Sequence, residues 1–210
     1  MNPLRPRGRA GAFLVAAALV VAAPKAHAQN PAGMDHHQMA GMDMALPPVA
    51  IPKGAIFTEA DIRFMQGMIA HHAQAIYMSR LAAGHDASEH LVKFAQKIDQ
   101  SQQAEIRLMQ QWLRANSQFA PDTSAWRQMS MPGMLTTEQL QQLEAARGAD
   151  FDRLFLQLMI QHHEGALKMV SDLFATPLAG QDVDVSVFAN DVQTVQTAEI
   201  GTMHRMLNSL

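Results

Sequence analysis

The 210 residues include 16 Met and 10 His but no Cys, with 19 acidic against 16 basic side chains. Disulfides and thiolate metal sites are therefore excluded, leaving thioether, imidazole and carboxylate as metal donors. A net acidic chain without a basic stripe also argues against a nucleic-acid partner.

The chain opens with Arg5, Arg7 and Arg9, continues in an apolar run from Ala10 to Ala23, and reaches Ala26-His27-Ala28. This order predicts a secretory leader over residues 1–28, cleaved before Gln29. The apolar run is shorter than the ~20 residues of a spanning helix, so no membrane span is expected after cleavage. Gly8 separates Arg7 from Arg9, which argues against twin-arginine export. Cleavage removes Arg5, Arg7, Arg9 and Lys25 and no acid, moving the formal charge from −3 to −7. The expected location is the periplasm or the cell exterior.

Residues 29–57, with Pro31, Pro47, Pro48 and Pro52 and no apolar period, read as a disordered tether. Within it Met34, His36, His37, Met39, Met42 and Met44 form a dense donor segment, suited to wrapping a soft metal without a preformed site. Gln29-Asn30-Pro31 lacks a third-position histidine and so offers no amino-terminal Cu(II) grip.

Four long helices follow. The first is predicted over Thr58–Ala83, capped by Thr58 with Asp61 three residues on and stopped by Gly84. The second is predicted over Ala87–Asn116 with Asp86 as its cap, burying Leu91, Phe94, Ala95, Ile98, Ile106, Met109 and Leu113. After a Pro-containing connection, a short helix is expected from Thr137 to about Ala146. The third long helix is predicted over Asp150–Ala175 and the fourth over Asp184–Asn208.

The chain is an internal repeat. Asp61, Phe64, Gln66, Met68, Ile69, His71, His72, Ala75 and Met78 pair at one spacing with Asp152, Phe155, Gln157, Met159, Ile160, His162, His163, Ala166 and Met169. Phe94, Gln102, Ala104, Glu105, Ile106, Met109 and Leu113 pair likewise with Phe188, Gln196, Ala198, Glu199, Ile200, Met203 and Leu207. Each half (58–116 and 137–210) is then one helical hairpin. Two hairpins burying one face each predict an all-α four-helix bundle.

Adjacent histidines point about 100° apart on a helix. One of each pair can face the centre while the other faces a neighbouring helix or the rim, so one ligand per helix is the better metal geometry. A lone buried histidine is usually structural, but four imidazoles at equivalent places in a repeat are costly to bury without a use. The methionines double as core filler. Their number, all but Met1 surviving cleavage, points instead to a soft cation. Met109 and Met203 are expected in a layer separate from the histidines, nearer the end where the first helix starts. Di-iron chemistry needs two Glu-x-x-His motifs, whereas Glu105 and Glu199 are followed at the third position by Leu108 and Thr202.

The doubled pattern Asp-x-x-Phe-x-x-x-Met-Ile-x-His-His-x-x-Ala-x-x-Met, with the later Glu-Ile-x-x-Met, resembles the domain-of-unknown-function family 305, which includes CopM-like periplasmic copper-binding proteins. The resemblance covers about residues 58–210. It implies a ferritin-like four-helix bundle, export, and copper binding linked to metal tolerance. The metal positions it implies are His71, His72, His162, His163, Met68, Met78, Met109, Met159, Met169 and Met203. The halves differ at Met65 against Leu156 and at Ala73 against Glu164.

The expectation is a copper-binding protein for buffering, delivery or tolerance, not an enzyme. It takes Cu(I) by preference and Cu(II) as well, and its partner is a copper exporter or another periplasmic copper protein. The competing readings are a di-metal oxidase of the iron type and a structural or signalling bundle without metal.

Overall fold

The computed structural model describes residues 46–210. The predicted leader and the donors Met34, His36, His37, Met39, Met42 and Met44 lie outside the described residues.

Five α-helices and two short 3₁₀ turns, with no strand, make up the regular structure of the described residues: α1 (Glu59–Leu81), α2 (Glu89–Ala115), α3 (Thr137–Ala145), α4 (Gly148–Ala175) and α5 (Val183–Leu207). The turns are Ala82–Gly84 and Thr123–Arg127. No helix among them is long and apolar enough to cross a membrane. α1 pairs with α2, α4 pairs with α5, and the two hairpins meet along α1 and α4.

Thr58 closes the expected capping box with Asp61. The start of α2 is corrected from Asp86 to Ser88, whose side chain accepts from the Leu91 N–H. Asp86 sits at φ 52, a left-handed conformation that short polar side chains tolerate and that keeps it outside the helix. α4 begins earlier than Asp150, at Gly148, where a φ of 57 turns the chain and the Gly148 N–H donates to the His85 carbonyl at 2.8 Å. α5 begins at Val183, capped by Asp182. Packing also starts before Thr58: Phe57 is buried edge-on to Trp112, with ring centroids 5.4 Å apart, and the Ala50 carbonyl accepts from Gln118.

Two buried clusters form the core. One joins Ile62, Met65, Met68 and Ile69 from the start of α1 to Met169, Val170 and Leu173 from the end of α4. The other joins Met78 and Ala82 from the end of α1 to Phe151, Phe155 and Met159 from the start of α4. α1 and α4 therefore run antiparallel, and the repeat pairs residues across a pseudo-twofold axis.

Asp61 and Asp152 hold the hairpins together. The Asp61 carboxylate accepts from Thr58 N–H at 2.7 Å and, across the interface, from Gly180 N–H at 2.7 Å in the turn before α5. Asp152 accepts from Ser88 N–H at 3.2 Å, at the start of α2. Each repeat's buried aspartate thus clamps the other repeat's turn. The sequence reading of these residues as first-turn charges holds for Asp61 and is corrected for Asp152, which lies beyond the first turn of α4 and bonds only across the interface.

The connection between the hairpins lies across α1 and α4. Gln74 donates to the Leu135 carbonyl at 3.1 Å and accepts from its N–H at 2.7 Å. Gly165, the repeat partner of Gln74, has no side chain because Pro132 and Gly133 occupy the space. A Cβ there would meet the Pro132 carbonyl oxygen at 2.0 Å.

Candidate metal centre

α1 is buried on almost every side from Ile62 to Ser79, between α2, α4 and the 117–136 connection. This is why His71 and His72 are both fully buried although they point in different directions. His162 and His163 are equally buried on α4.

His71 and His162 face each other where the helices cross, with ring centroids 3.8 Å apart and planes inclined by 41°. His72 and His163 lie outside them, each 6.4 Å from its neighbour by ring centroid. Each outer ring turns toward the partner helix of its own hairpin. His72 Nε2–H donates to Glu105 Oε2 at 2.6 Å, and His163 Nε2–H donates to Glu199 Oε2 at 2.9 Å. One inner imidazole therefore comes from each hairpin, and each outer one is oriented by a carboxylate.

The inner pair stays neutral. Burial, reinforced by His72 and His163, pushes His71 down to about 3 against a weaker opposing hydrogen bond to Pro132. Burial first, then His71, holds His162 well below the usual histidine range. A neutral imidazole offers one nitrogen lone pair. His71 Nε2–H donates to the Pro132 carbonyl at 3.1 Å, which leaves Nδ1 as its free acceptor. Nδ1 of His71, His72 and His163 and both nitrogens of His162 are buried without a partner, as is Glu199 Oε1. Each unpartnered buried polar atom costs about 1–3 kcal/mol, so this layer is expensive unless something binds there. The Glu–His pairs have the form of the carboxylate–histidine–metal arrangement that fixes ligand orientation. Among the described residues, however, no three His, Asp or Glu side chains converge as a ready metal site. Full coordination of an ion by this layer therefore needs thioethers or movement of the rings.

The sequence-expected methionines among the described residues are all buried and fall into two groups. Met68, Met109 and Met169 share the first core cluster; Met159, Met203 and Met78 share the second. These are the same three repeat positions in each group, placed on either side of the histidine layer. The expectation of one Met109/Met203 layer is corrected: antiparallel packing of α1 against α4 sends those residues to opposite ends. Further thioethers join them from outside the expected set, Met206 in the second cluster and Met65 and Met131 in or against the first. Met65 is buried beside Met68. Met131, from the connection, reaches Gly67 one turn before His71: a Cβ on Gly67 would meet its sulfur at 3.2 Å and the Met169 methyl at 3.4 Å. Glu164 is exposed and does not join the histidine layer. Glu105 and Glu199, weighed in the sequence only against di-iron chemistry, are the side chains that orient His72 and His163. Their recurrence in the repeat was the signal.

The sequence profile of the family described as "Domain of unknown function (DUF305)" matches residues 61–207. Among solved structures, the chain is similar to a DUF305 protein of Streptomyces coelicolor described as secreted. Identity is 27% over 71% of this chain and 93% of that one, at a TM-score of 0.63. A DUF305 fragment from Deinococcus radiodurans gives 27% identity over 73% and 99% of the two chains and a TM-score of 0.64. CopM in its Cu(I)-bound form gives 28% identity over 71% and 96% and a TM-score of 0.56, and CopM is also known with Cu(II) and with Ag bound. No curated protein is detectably similar to the chain.

Proposed function

This chain belongs to the domain-of-unknown-function family 305, and we propose that it is a periplasmic copper-binding protein that buffers or delivers the metal, and not an enzyme. The observation that carries the reading is the facing pair His71–His162, in which His71 Nδ1 and both His162 nitrogens are buried without partners and which lies between two methionine clusters. Neutral imidazole and thioether are the donor set of Cu(I), and imidazole also takes Cu(II). In this reading His71 Nδ1 and one nitrogen of His162 are the inner donors, and Met131 and Met169, which meet over Gly67 one turn before His71, supply thioethers. Glu105 and Glu199 keep His72 and His163 turned with Nδ1 inward. Met68, Met78, Met109, Met159 and Met203 carry the ion toward or away from this layer. The CopM structures with Cu(I), Cu(II) and Ag support the reading at the level of the family. A di-metal oxidase has less support: each carboxylate at the layer is hydrogen-bonded to a single histidine.

Metal analysis and competition titration of the mature chain test the proposal. Cu(I) is expected to bind tightly and Zn(II) weakly, because the surplus donors are thioethers. Equal or tighter Zn(II) binding overturns it. The segment Met34, His36, His37, Met39, Met42 and Met44 is proposed as an additional copper-holding tether. Deleting residues 30–46 is expected to lower the copper stoichiometry while the bundle melts unchanged, and an unchanged stoichiometry removes the tether from the site.

A further inference from the structure

A groove of about 640 Å³ runs between α2 and α5 at the end of the bundle where α1 begins. Met65 and Met109 line it from within the core, beside Trp112 and Phe188, and Asp182, Asp184 and Asp191 line its mouth. No cationic side chain lines it. Asp182 is already engaged, capping α5 and accepting from Trp112 Nε1 at 3.1 Å. Asp184 and Asp191 are exposed, and neither forms an ion pair among the described residues.

The duplication supplies an internal control. The spacing that pairs Glu105 with Glu199 and Met109 with Met203 also pairs α2 with α5 position by position. Asp184 and Asp191 on α5 correspond to His90 and Lys97 on α2, and Val187 corresponds to Lys93. Gln111 on α2 corresponds to Arg205 on α5, and Met65 on α1 to Leu156 on α4. His90, Lys93, Lys97 and Arg205 are all exposed, and Lys93 pairs with Glu89 at 2.5 Å. One end of the duplicated fold thus combines Met65 and Met109 with an acidic mouth. At the other end Leu156 replaces Met65 but Met206 replaces Trp112 beside Met203, so both ends hold two thioethers and the difference lies in a surface that is basic there.

We propose that the α2–α5 groove is where a soft cation first binds, with Met65 and Met109 as its thioether ligands, and that the opposite end does not load directly. The proposal rests on the copper reading and specifies how the two halves divide the work. Two neutral sulfurs retain a soft monovalent ion. Carboxylates that are free of partners raise the local cation concentration at the mouth, and Lys97 and Arg205, which form no ion pair among the described residues, lower it at the other end.

The test uses the mature chain labelled with ¹³C at the methionine methyls, titrated with Ag(I) as a redox-inert soft ion and then with Cu(I). The Met65 and Met109 signals are expected to shift before those of Met159 and Met203. Met65→Leu, which copies the second half, is expected to weaken the first site about tenfold. Asp184→Asn with Asp191→Asn is expected to slow association about tenfold at low salt while leaving the melting temperature in place. Earlier movement of Met159 and Met203, or wild-type association in the double asparagine variant, overturns the proposal. If the ring signals of His71 and His162 respond while Met65 and Met109 stay silent, this proposal falls and the copper reading stands. If no methionine or histidine signal moves and no Cu(I) is retained, both fall.

Discussion

His71 and His162 occupy the same position in the two repeats and meet with ring centroids 3.8 Å apart, so the duplication axis passes between their rings. Neither inner ring donates to a carboxylate, and His162 makes no side-chain hydrogen bond at all. An imidazole kept there for stability alone is a poor choice, because an apolar ring of similar size carries no desolvation cost. His162→Phe is therefore expected to keep or raise the melting temperature of the metal-free protein and to lower Cu(I) affinity at least about tenfold. Differential scanning calorimetry and a chelator competition measure the two effects. A lower melting temperature with unchanged affinity would point to the bundle that uses histidine only to hold its helices.

Acid should weaken the metal-free fold through the same pair. His71 is held at about 3 when folded, against 6.5 for the free side chain, and His162 is shifted in the same direction. The unfolded chain therefore binds more protons as the pH drops below about 6.5, and stability falls with it. Each such histidine contributes up to about 1.4 kcal/mol per pH unit in that window. Urea unfolding at pH 7.5 and pH 5.5 should show this loss, and His162→Phe should make it shallower. A variant with the same slope as the wild type would remove His162 from the account.

Much of the fold was legible because the sequence repeats. Asp61 with Asp152 and the two His-His pairs located the hairpins, and Thr58 with Asp61 marked the first helix start. What was not legible depended on the relation between hairpins. Counting residues along one helix does not reveal that α1 and α4 run antiparallel, so Met109 and Met203 were assigned to one layer. Nor does periodicity show that the 117–136 connection covers α1. Pro132 therefore came as a new partner for His71, and both neighbouring histidines proved fully buried. At α2 the choice between Asp86 and Ser88 as cap was decided by Asp152, which draws the Ser88 N–H across the interface.

The crossed aspartate clamps should contribute unequally. Asp61→Ala removes the Asp61 half of the capping box and leaves the half-buried Gly180 N–H unpartnered. The loss of the reciprocal cap bond at up to about 1 kcal/mol and of the Gly180 partner at about 1–2 kcal/mol gives an expected cost of about 2–3 kcal/mol. Asp152→Ala loses a single N–H shared between two oxygens at 3.2 Å, and should cost about 1–2 kcal/mol. Denaturant midpoints with unchanged m-values measure both. Equal costs would mean that the Gly180 contact adds nothing to the helix cap.

Gly165 sets how closely the connection lies over the histidine layer. The repeat partner Gln74 reaches out to Leu135, whereas Gly165 lets Pro132 and Gly133 rest against the α4 backbone. Gly165→Ala places a methyl group 2.0 Å from the Pro132 carbonyl oxygen, the atom that accepts from His71 Nε2–H. Backbone on both sides of this contact cannot yield as a side-chain tip can, so the connection must lift. The expected cost is about 1–3 kcal/mol, the usual range for overpacking. The same shift should free His71 Nε2–H and open the layer to solvent. Amide exchange at Met134 and Leu135 should rise, and bound Cu(I) should leave faster to a competing chelator, while α5 stays protected. Unchanged exchange in the connection with normal copper release would show that it does not control access to the histidine pair.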